Sequence, residues 1–310
     1  MKKIIYLLLL LFTLKAGAQT TANKDVYMFC YFKDNGQDGL HLAYSNDGLQ
    51  WTALKGDSSF LKPMVSKDKL MRDPCIIKGA DGLFHMVWTD SWTDKGIGYA
   101  DSPDLIHWSE QKQIPVMESE AQARNCWAPE ITYDASSKTY MIYWATTITG
   151  RFPLIDTAAE SGYNHRIYYV TTKDFKTFSP TKLLFNPGFS SIDATIVPDG
   201  KRFVMFFKDE TLHPVQKNIK VIYADKLTGP YTKPGAPITN GYWAEGPTTL
   251  RIGNKWIVFF DKYRNQKYGA ITSTDLKTWI EISDRIKLPR GIRHGSIFKI
   301  TQAEFDKLPK

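Results

Sequence analysis

The sequence is poor in the residues that mark small disulfide-rich and zinc-binding proteins. It contains three cysteines in 310 residues, Cys30, Cys75 and Cys126, and no CxxC spacing, which argues against a zinc site or a disulfide framework. Each cysteine lies in or beside an apolar, strand-like segment, so we expect buried thiols that pack as small apolar groups. A single Cys30–Cys75 or Cys75–Cys126 disulfide stays open as an alternative.

Long segments of one chemical character are also missing. The 40 Lys and Arg residues exceed the 32 Asp and Glu residues, but they are scattered without a basic block, which predicts no nucleic-acid partner. No segment is apolar enough to span a bilayer, and no low-complexity linker divides the chain. We therefore expect a single domain over residues 19–310, no membrane span and a monomer.

The longest apolar segment stands at the N-terminus. Lys2 and Lys3 precede the apolar residues 4–14, and the small residues 16–18 follow. This order is typical of a secretory signal peptide, and the apolar segment is shorter than the ~20 residues of a membrane-spanning helix. We predict that residues 1–18 are a signal peptide and that the protein is exported to the periplasm or out of the cell.

The rest of the chain repeats one unit: an inner strand, a turn, an aromatic-rich second strand, and a third strand that ends in a Ser/Thr-Asp turn. Repeats are examined first because they decide the fold. Inner strands are predicted at residues 73–77, 128–133, 193–197, 245–252 and 293–300. Second strands are predicted at residues 83–89, 139–146, 202–208, 255–261 and 26–32.

One repeat is divided between the two ends of the chain. Its outer strands, residues 26–53, come first, and its inner strand, residues 293–300, comes last. A ring of small antiparallel sheets closes in this way, when the N-terminal strands complete a sheet that the C-terminal strand begins. A β-sandwich also has short strands, but it would not explain matched repeats split across the termini. We predict an all-β, five-bladed β-propeller with blades near 73–116, 126–187, 191–236, 243–286, and 293–300 joined to 26–53.

Acidic residues begin three of the predicted inner strands: Asp73, Asp193 and Glu245. The starts of the inner strands converge at one end of a propeller axis, so we expect three carboxylates, at one phase of the repeat, in one site. Such crowding raises pKa values and lowers stability, so it indicates a function that needs the three groups together. Glycoside hydrolysis needs one carboxylic acid to protonate the leaving oxygen and one carboxylate to activate water or attack carbon. A structural Asp at a strand start explains one acid, but not three.

At these residues the sequence resembles glycoside hydrolase family 43, five-bladed propellers that include α-L-arabinofuranosidases, β-xylosidases and arabinanases. The likeness covers the mature chain. It rests on Asp73-Pro74 with DGLFHMVWT and SPDLIHW after it, on WAPE at 127–130, on SIDATIV around Asp193, and on EGPTTLRIGNKWIVFFD from Glu245. The resemblance implies an inverting hydrolase with Asp73 as general base, Glu245 as general acid, and Asp193 as the residue that orients the acid and modulates its pKa.

The resemblance also implies that His294, in RHGS, lies near a hydrated ion in the channel, often calcium; a buried, hydrogen-bonded histidine is the alternative. No organic cofactor is predicted. The sequence departs from many family members by placing the outer strands 26–53 ahead of Asp73. Arg72-Asp73-Pro74 also resembles the RDP phrase of fructan- and sucrose-cleaving propellers, but their NDPNG-like nucleophile and Glu-Cys acid are missing from this sequence.

Sugars stack on aromatic rings and hydrogen-bond to planar polar groups, and several such side chains lie near the acids in sequence. We predict that substrate is bound by Trp127, Trp243, Trp88, Arg72 and Arg293, with Trp92 as a further candidate. The predicted activity is that of an exo-acting α-L-arabinofuranosidase on plant polysaccharide side chains, with an oligo- or polysaccharide as partner. A β-xylosidase or β-galactofuranosidase of the same family is the second candidate, and a sugar-binding propeller without catalysis is the third.

Overall fold

The computed structural model describes residues 25–153 and 160–310, and these residues form short strands with few helices. The predicted signal peptide, residues 1–18, lies outside the described residues. One α-helix, Gln302–Phe305, follows the last strand. The strands are β1 (Asp25–Lys33), β2 (His41–Ser45), β3 (Thr52–Ala53), β4 (Arg72–Lys78), β5 (Phe84–Thr89), β6 (Ile97–Ser102), β7 (Lys112–Ile114), β8 (Trp127–Asp134), β9 (Thr139–Thr146), β10 (Arg166–Thr172), β11 (Lys182–Phe185), β12 (Ser191–Asp199), β13 (Arg202–Asp209), β14 (Asn218–Ala224), β15 (Glu245–Ile252), β16 (Lys255–Lys262), β17 (Lys267–Ser273), β18 (Ile280–Glu281) and β19 (Ile292–Thr301).

These strands pair into five antiparallel sheets, which we number as blades 1 to 5. Blade 1 has the order β4-β5-β6-β7, blade 2 has β8-β9-β10-β11, blade 3 has β12-β13-β14, and blade 4 has β15-β16-β17-β18. Blade 5 has the order β19-β1-β2-β3, so the C-terminal strand is its inner strand. The prediction of a sheet shared by the two ends of the chain is confirmed.

The inner strands form a closed ring. Each of β4, β8, β12, β15 and β19 contacts the inner strands of the two neighbouring blades, and β19 returns to β4. Because every inner strand has a neighbour on both sides, the starts of all five strands surround one end of the axis. The five-bladed propeller predicted from the repeat is therefore confirmed.

The hydrophobic core is divided among the interfaces between blades. Five clusters of buried side chains each join two adjacent blades, one cluster per interface. Cys30, Cys75 and Cys126 are buried free thiols, which confirms their predicted packing role and excludes the alternative disulfides. Burial raises the pKa of the Cys30 thiol to about 11, although Ser296 lowers it in part by hydrogen bonding.

A hydrogen-bonded turn explains why the Ser/Thr-x-Asp phrase recurs. In blade 1 the Ser102 hydroxyl accepts the backbone N–H of Leu105 at 2.8 Å, and the Asp104 carboxylate accepts the N–H of His107 at 2.8 Å. Side chains of this type satisfy the backbone of a tight turn in place of a strand partner. Blades 2, 4 and 5 repeat the arrangement at Thr172/Asp174, Ser273/Asp275 and Ser45/Asp47.

Within the described ranges, no helix has both the length and the apolar character needed to cross a membrane.

Ring closure generates a prediction about Gly295, which pairs with Tyr31 where β19 meets β1. A Cβ atom at Gly295 would lie 1.9 Å from the backbone oxygen of Cys30. Because backbone cannot rotate away as a side chain does, Gly295→Ala should lower the free energy of unfolding by about 3 kcal/mol. Chemical denaturation measures this loss.

Gly235 provides a matched control, since a Cβ atom there would meet nothing within 4 Å. Gly235→Ala should leave the unfolding midpoint close to that of the parent. Equal stability of the two variants would contradict the close pairing of β19 with β1.

Candidate active site

Every inner strand is irregular near its start. In blades 1 to 4 the register with the second strand shifts between Arg72 and Cys75, Trp127 and Glu130, Ile192 and Thr195, and Glu245 and Thr248. In blade 5 it shifts between Ile292 and Gly295, opposite Lys33 and Tyr31. Such β-bulges redirect side chains at sheet edges and beside functional sites. The bulges place the candidate catalytic side chains at the end of the ring where the inner strands begin, which we call the mouth.

The backbone at the bulge adopts the left-handed conformation in four blades, which corrects one prediction. Asp73, Ala128, Asp193 and Gly246 occupy equivalent positions with φ between 48° and 57°. Glu245 therefore precedes the position held by the two aspartates by one residue, and the three acids are not at the same phase of the repeat. The sequence pattern missed this offset because it aligned strand starts, whereas the bulge sets the direction of each side chain.

Asp73 is buried at the start of β4 and is held by two hydrogen bonds. Its Oδ2 accepts from the Thr89 hydroxyl at 2.7 Å, and its Oδ1 lies 3.1 Å from the Nδ1 of His294. Burial alone would raise the pKa of Asp73, but the charge and hydrogen bond of His294, the charge of Arg72 and the Thr89 hydroxyl lower it to about 2. Asp73 is consequently an ionised carboxylate at neutral pH.

Asp193 occupies the equivalent position in blade 3 but has the opposite shift. Its Oδ2 accepts the backbone N–H of Gly246 at 2.9 Å. Burial raises its pKa to about 7, the charge of His294 opposes that rise, and the charge of Glu245 adds to it. Asp193 therefore binds a proton near neutral pH, and it lies close enough to Glu245 for the charge of Glu245 to affect its pKa.

Glu245 lies between two cations at the start of β15. Its Oε1 accepts from Arg293 Nη2 at 3.1 Å, and its Oε2 accepts from Lys208 Nζ at 3.0 Å. Arg293 also donates from Nε to Asp261 Oδ2 at 2.6 Å. The Glu245 side chain keeps 20% of its surface exposed, so it is fixed on both oxygens and still open to a ligand.

Lys208 extends this charge network to two further residues of blade 3 and the segment after it. It is buried and contacts Glu210 as well as Glu245, and Glu210 pairs in turn with Lys217 at 2.6 Å. Burial would lower the pKa of Lys208, but the charges of Glu210 and Glu245 raise it well above its ordinary value. Burial would raise the pKa of Glu210, and the two lysines instead lower it to about 2. Lys208 and Glu210 are thus held ionised as a buried pair.

His294 is buried beside Asp73 and packs against Gly246. A Cβ atom at Gly246 would lie 2.4 Å from the His294 ring, so a side chain there would displace the imidazole. Burial on its own would lower the pKa of His294, but the charges of Asp193 and Asp73 raise it to about 9. The buried, hydrogen-bonded histidine considered as an alternative matches this geometry.

The described residues contain no group of three or more His, Cys, Asp or Glu side chains that could hold a metal ion. Calcium prefers six to eight oxygen ligands, and the Nδ1 of His294 already faces Asp73. The side chains around His294 therefore do not supply a calcium site of their own. The calcium predicted from the resemblance stays a prediction.

Comparison with known proteins agrees with this geometry. A family model described as a probable glycosyl hydrolase domain, of the group related to family 43, matches residues 23–306. The chain belongs to glycoside hydrolase family 43. The members of this family are glycoside hydrolases.

One curated relative is an α-L-arabinofuranosidase from Bifidobacterium longum, which is 21% identical over 218 residues. The match covers 59% of this chain and 20% of that protein, so the chain spans about a fifth of the relative's length. The solved α-L-arabinofuranosidase from Lactobacillus brevis has a TM-score of 0.55 at 18% identity and covers 69% of this chain and 72% of its own. The exo-β-1,3-galactanase from Phanerochaete chrysosporium has a TM-score of 0.52 at 12% identity, and the match covers 71% of this chain and 52% of the galactanase chain. These two structures share the fold.

Three of the side chains predicted to bind substrate in this family 43 protein lie together at the rim. The Trp127 indole donates to the backbone oxygen of Trp92 at 3.0 Å, and the two rings meet edge to face at 5.7 Å. Arg72 lies between the rings of Trp92 and Phe32, at 4.4 and 4.6 Å from their centroids. Trp92 is 39% exposed, so this group offers an aromatic surface beside Asp73.

Trp243 lies on the other side of the mouth, beside blade 4. Arg264 stands 4.4 Å from its ring centroid, and Lys217 stands 5.6 Å from it. The ring also contacts Tyr263 at 5.9 Å. Cations near Trp243 compete with a sugar for its faces, so its role as a stacking platform stays a prediction.

The prediction that Trp88 binds substrate is wrong. Trp88 is fully buried in the cluster that joins blades 5 and 1, together with Met86 and Met28. A residue enclosed on all sides by the blade interface cannot reach a sugar at the mouth of the ring. Its aromatic character contributes to packing, as it does for most propeller aromatics.

Lys208, Asp261 and His165 also lie at the site, although they were not predicted from the sequence. Lys208 and Asp261 each follow an apolar second strand, RFVMFF and KWIVFF, and a charge at the end of such a strand is a usable signal. His165 is buried and stacks on Tyr163 at 5.0 Å, and neither of its ring nitrogens has a hydrogen-bond partner among the residues that the structure describes. Burial lowers its pKa to about 3, so it is a neutral imidazole beside Trp127.

The ion pair of His294 generates a prediction about stability and pH. His294 titrates near pH 9 in the folded protein against an ordinary value of 6.5, so its stabilising contribution is complete below pH 6.5 and is lost as pH rises through 9. Between pH 7 and 9 the free energy of unfolding should fall by about 2 kcal/mol more in the parent than in His294→Gln. Urea unfolding at both pH values measures the difference.

His107 provides a control, since it contacts Asp104 at 2.7 Å with 79% of its side chain exposed. Exposed pairs contribute little, so His107→Gln should follow the parent at both pH values. A parent and a His294→Gln variant with the same pH dependence would contradict the buried ion pair.

Proposed function

We propose that the protein is an inverting, exo-acting α-L-arabinofuranosidase that removes arabinofuranosyl side chains from plant polysaccharides. The observation that carries the hydrolytic mechanism is the convergence of Asp73, Asp193 and Glu245 at the mouth of the ring with different electrostatic surroundings. The choice of arabinofuranose is supported by the names of the Bifidobacterium longum and Lactobacillus brevis proteins. The proposal includes export through residues 1–18, action as a monomer and a single domain over residues 19–310.

Asp73 is the proposed general base. Because the pKa of Asp73 is about 2, the group is a carboxylate at any higher pH and can accept a proton from water. The Thr89 hydroxyl and the His294 ring fix both oxygens of the carboxylate, so the water is activated from a defined direction. Water then attacks the anomeric carbon while its proton passes to Asp73.

Glu245 is the proposed general acid, and it gives its proton to the departing glycosidic oxygen. Its two cationic partners keep the carboxyl group at a fixed place, and its partial exposure leaves it accessible to the substrate. Asp193, whose pKa is raised to about 7, keeps a proton close to Glu245 near neutral pH. The sugar leaves with inverted configuration, and both carboxyl groups return to their starting protonation states through solvent.

The substrate is tested with a panel of aryl glycosides that includes α-L-arabinofuranoside, β-xyloside and β-galactofuranoside. We expect the highest kcat/KM on the arabinofuranoside and, by NMR, an initial product of inverted anomeric configuration. A higher value on the xyloside or galactofuranoside reassigns the sugar within the family. Retained configuration contradicts the proposed mechanism.

The roles of the two acids give a sharper test. Asp73→Asn and Glu245→Gln should each lower kcat by at least about 10²-fold, since each removes a group that transfers a proton in the transition state. Glu245→Gln should lose least on the aryl glycoside with the most acidic phenol, because that leaving group needs no proton. Asp73→Asn should lose the same factor on every phenol.

Asp199→Asn and Glu304→Gln are matched controls at the other end of the ring, where both acids also form ion pairs, with Arg202 and Lys78. Both variants should keep parental activity within about twofold. Parental turnover by Asp73→Asn would remove the assigned base.

A further inference from the structure

Blade 3 differs from the other blades at its outer edge. It has three strands, whereas each of the other blades has four in the part of the chain that the structure describes. Residues 225–244 follow β14 and lie along its edge. Ile238 donates its backbone N–H to the Ile219 oxygen at 2.8 Å, and Thr232 donates to the Tyr223 oxygen at 2.8 Å. The segment contains three prolines, which have no N–H group to donate to a neighbouring strand, so it covers the edge of β14 without forming a regular strand.

A cavity of about 400 Å³ lies where residues 225–244 meet the segment that joins β13 to β14. Cavities of this size are typical of small-ligand sites. It is at the same end of the ring as the mouth, because Trp243 in its wall comes two residues before the start of β15. The residues of its walls that matter here are Val215, Gln216, Asn218, Pro237, Asn240 and Trp243.

These walls combine amide groups with apolar surface. Three of the six side chains carry an amide, and the other three are apolar. Val215 is 50% exposed, so part of the apolar surface is open to solvent. No acidic or basic side chain lines the cavity among the residues that the structure describes. Amides that bind hydroxyl groups, beside apolar surface that packs on C–H groups, suit a neutral sugar.

A neighbouring cavity of about 590 Å³ has a different character. It shares Trp243 with the first cavity, but Lys262, Arg264 and Lys267 line it. Arg264, which stands 4.4 Å from the ring centroid of Trp243, is in the wall of this neighbour and not in that of the first cavity. The first cavity therefore has no cation in its walls to pair with an anionic sugar.

Asn218 has an unsatisfied acceptor in the wall of the first cavity. Its Nδ2 donates to Gln216 Oε1 at 3.1 Å, but its buried Oδ1 has no hydrogen-bond partner within the described ranges. An unpaired buried acceptor lowers stability. A ligand hydroxyl group that donates to Oδ1 would remove this cost, which is a second, independent indication of a ligand that carries hydroxyl groups.

The cavity is distinct from the catalytic mouth. None of the three candidate catalytic acids lines it in the described part of the chain. The Trp243 ring lies 5.9 Å from the ring of Tyr263. Tyr263 in turn lies 4.5 Å from the ammonium group of Lys208, which donates to Glu245. A sugar in this cavity is therefore outside the place where the glycosidic bond is cut.

We propose that this cavity is an ancillary carbohydrate site, which binds a neutral sugar residue of a polysaccharide away from the bond that is cut. The inference goes beyond the proposed function, because it does not depend on which glycosidic bond is hydrolysed at the mouth. A polymer that is held at a second point stays close to the mouth, which raises its effective concentration there. Small substrates gain nothing, since they do not contact both places at once.

Affinity electrophoresis measures such binding without turnover. The parent and the variants all carry Asp73→Asn, so that the polysaccharide in the gel stays intact, and the gels contain arabinan, xylan or galactan. Asn240→Ala removes an amide from the wall, and Val215→Asp places a charge in it. Each should raise the Kd for the polysaccharide that retards the parent most by about fivefold.

Asn46→Ala and Leu183→Asp are matched controls. Asn46 is an exposed amide in blade 5, and Leu183 is 44% exposed on the outer strand of blade 2. Both should keep the Kd of the parent, and thermal melts should show that all four variants are folded. With Asp73 restored, Asn240→Ala and Val215→Asp should hydrolyse an aryl glycoside with the parental kcat/KM, because that substrate does not reach the cavity.

The same Kd for Val215→Asp and Leu183→Asp overturns the ancillary site, and so does a parent that no neutral polysaccharide retards. Retardation by polygalacturonate alone, abolished by salt, overturns it as well, because binding then follows the net charge. An equal loss on the aryl glycoside assigns the two residues to the mouth and overturns a separate site. A parent that cleaves no aryl glycoside contradicts only the proposed function, since the gel measures binding and its result still decides the ancillary site.

Discussion

The compensation of converging negative charges at the mouth of the ring is the constraint on which this site depends. Five inner strands begin around one axis, and Asp73, Asp193 and Glu245 are forced into a small volume. Removing such charges from water costs several kcal/mol per ion unless partners and hydrogen bonds replace the lost solvation. His294, Lys208 and Arg293 supply that compensation. Without His294 the pKa of Asp73 would be higher, and its carboxylate would be less available to accept a proton from water.

Two of these three cations come from the strand that closes the ring. Arg293 and His294 are neighbours in β19, the C-terminal strand that pairs with β1 to complete blade 5. Arg293 reaches blade 4 to contact Glu245, while His294 reaches blade 1 to contact Asp73. The candidate acid and the candidate base are therefore both completed by the closing blade. The strand that closes the ring therefore also completes the site. A propeller left open at this strand would lack the positive charges of Arg293 and His294 beside its acids.

The sequence predicted the ring well because each blade repeats its own local signals. Alternating apolar strands and the Ser/Thr-x-Asp turn are properties of a few neighbouring residues, so they can be recognised without knowledge of the rest of the chain. The offset of Glu245, the burial of Trp88 and the pairing of Lys208 depend on the bulge and on the neighbouring blade. Trp88 shows the difference, because its strand was correctly predicted while the blade that covers it combines the first strands with the last one.

The two aspartates show how a repeat with equivalent positions can hold different chemistry. Asp73 and Asp193 occupy the same place in the bulge, with φ of 52° and 55°, yet the pKa of one is about 2 and that of the other is about 7. Both are buried, so burial does not distinguish them. The charge of His294 acts on both, but Asp73 also accepts hydrogen bonds from the Thr89 hydroxyl and the His294 ring, whereas Asp193 accepts one from a backbone N–H and lies near the charge of Glu245. The backbone repeat supplies the position, and the adjacent blades decide whether a carboxyl group there keeps or releases its proton.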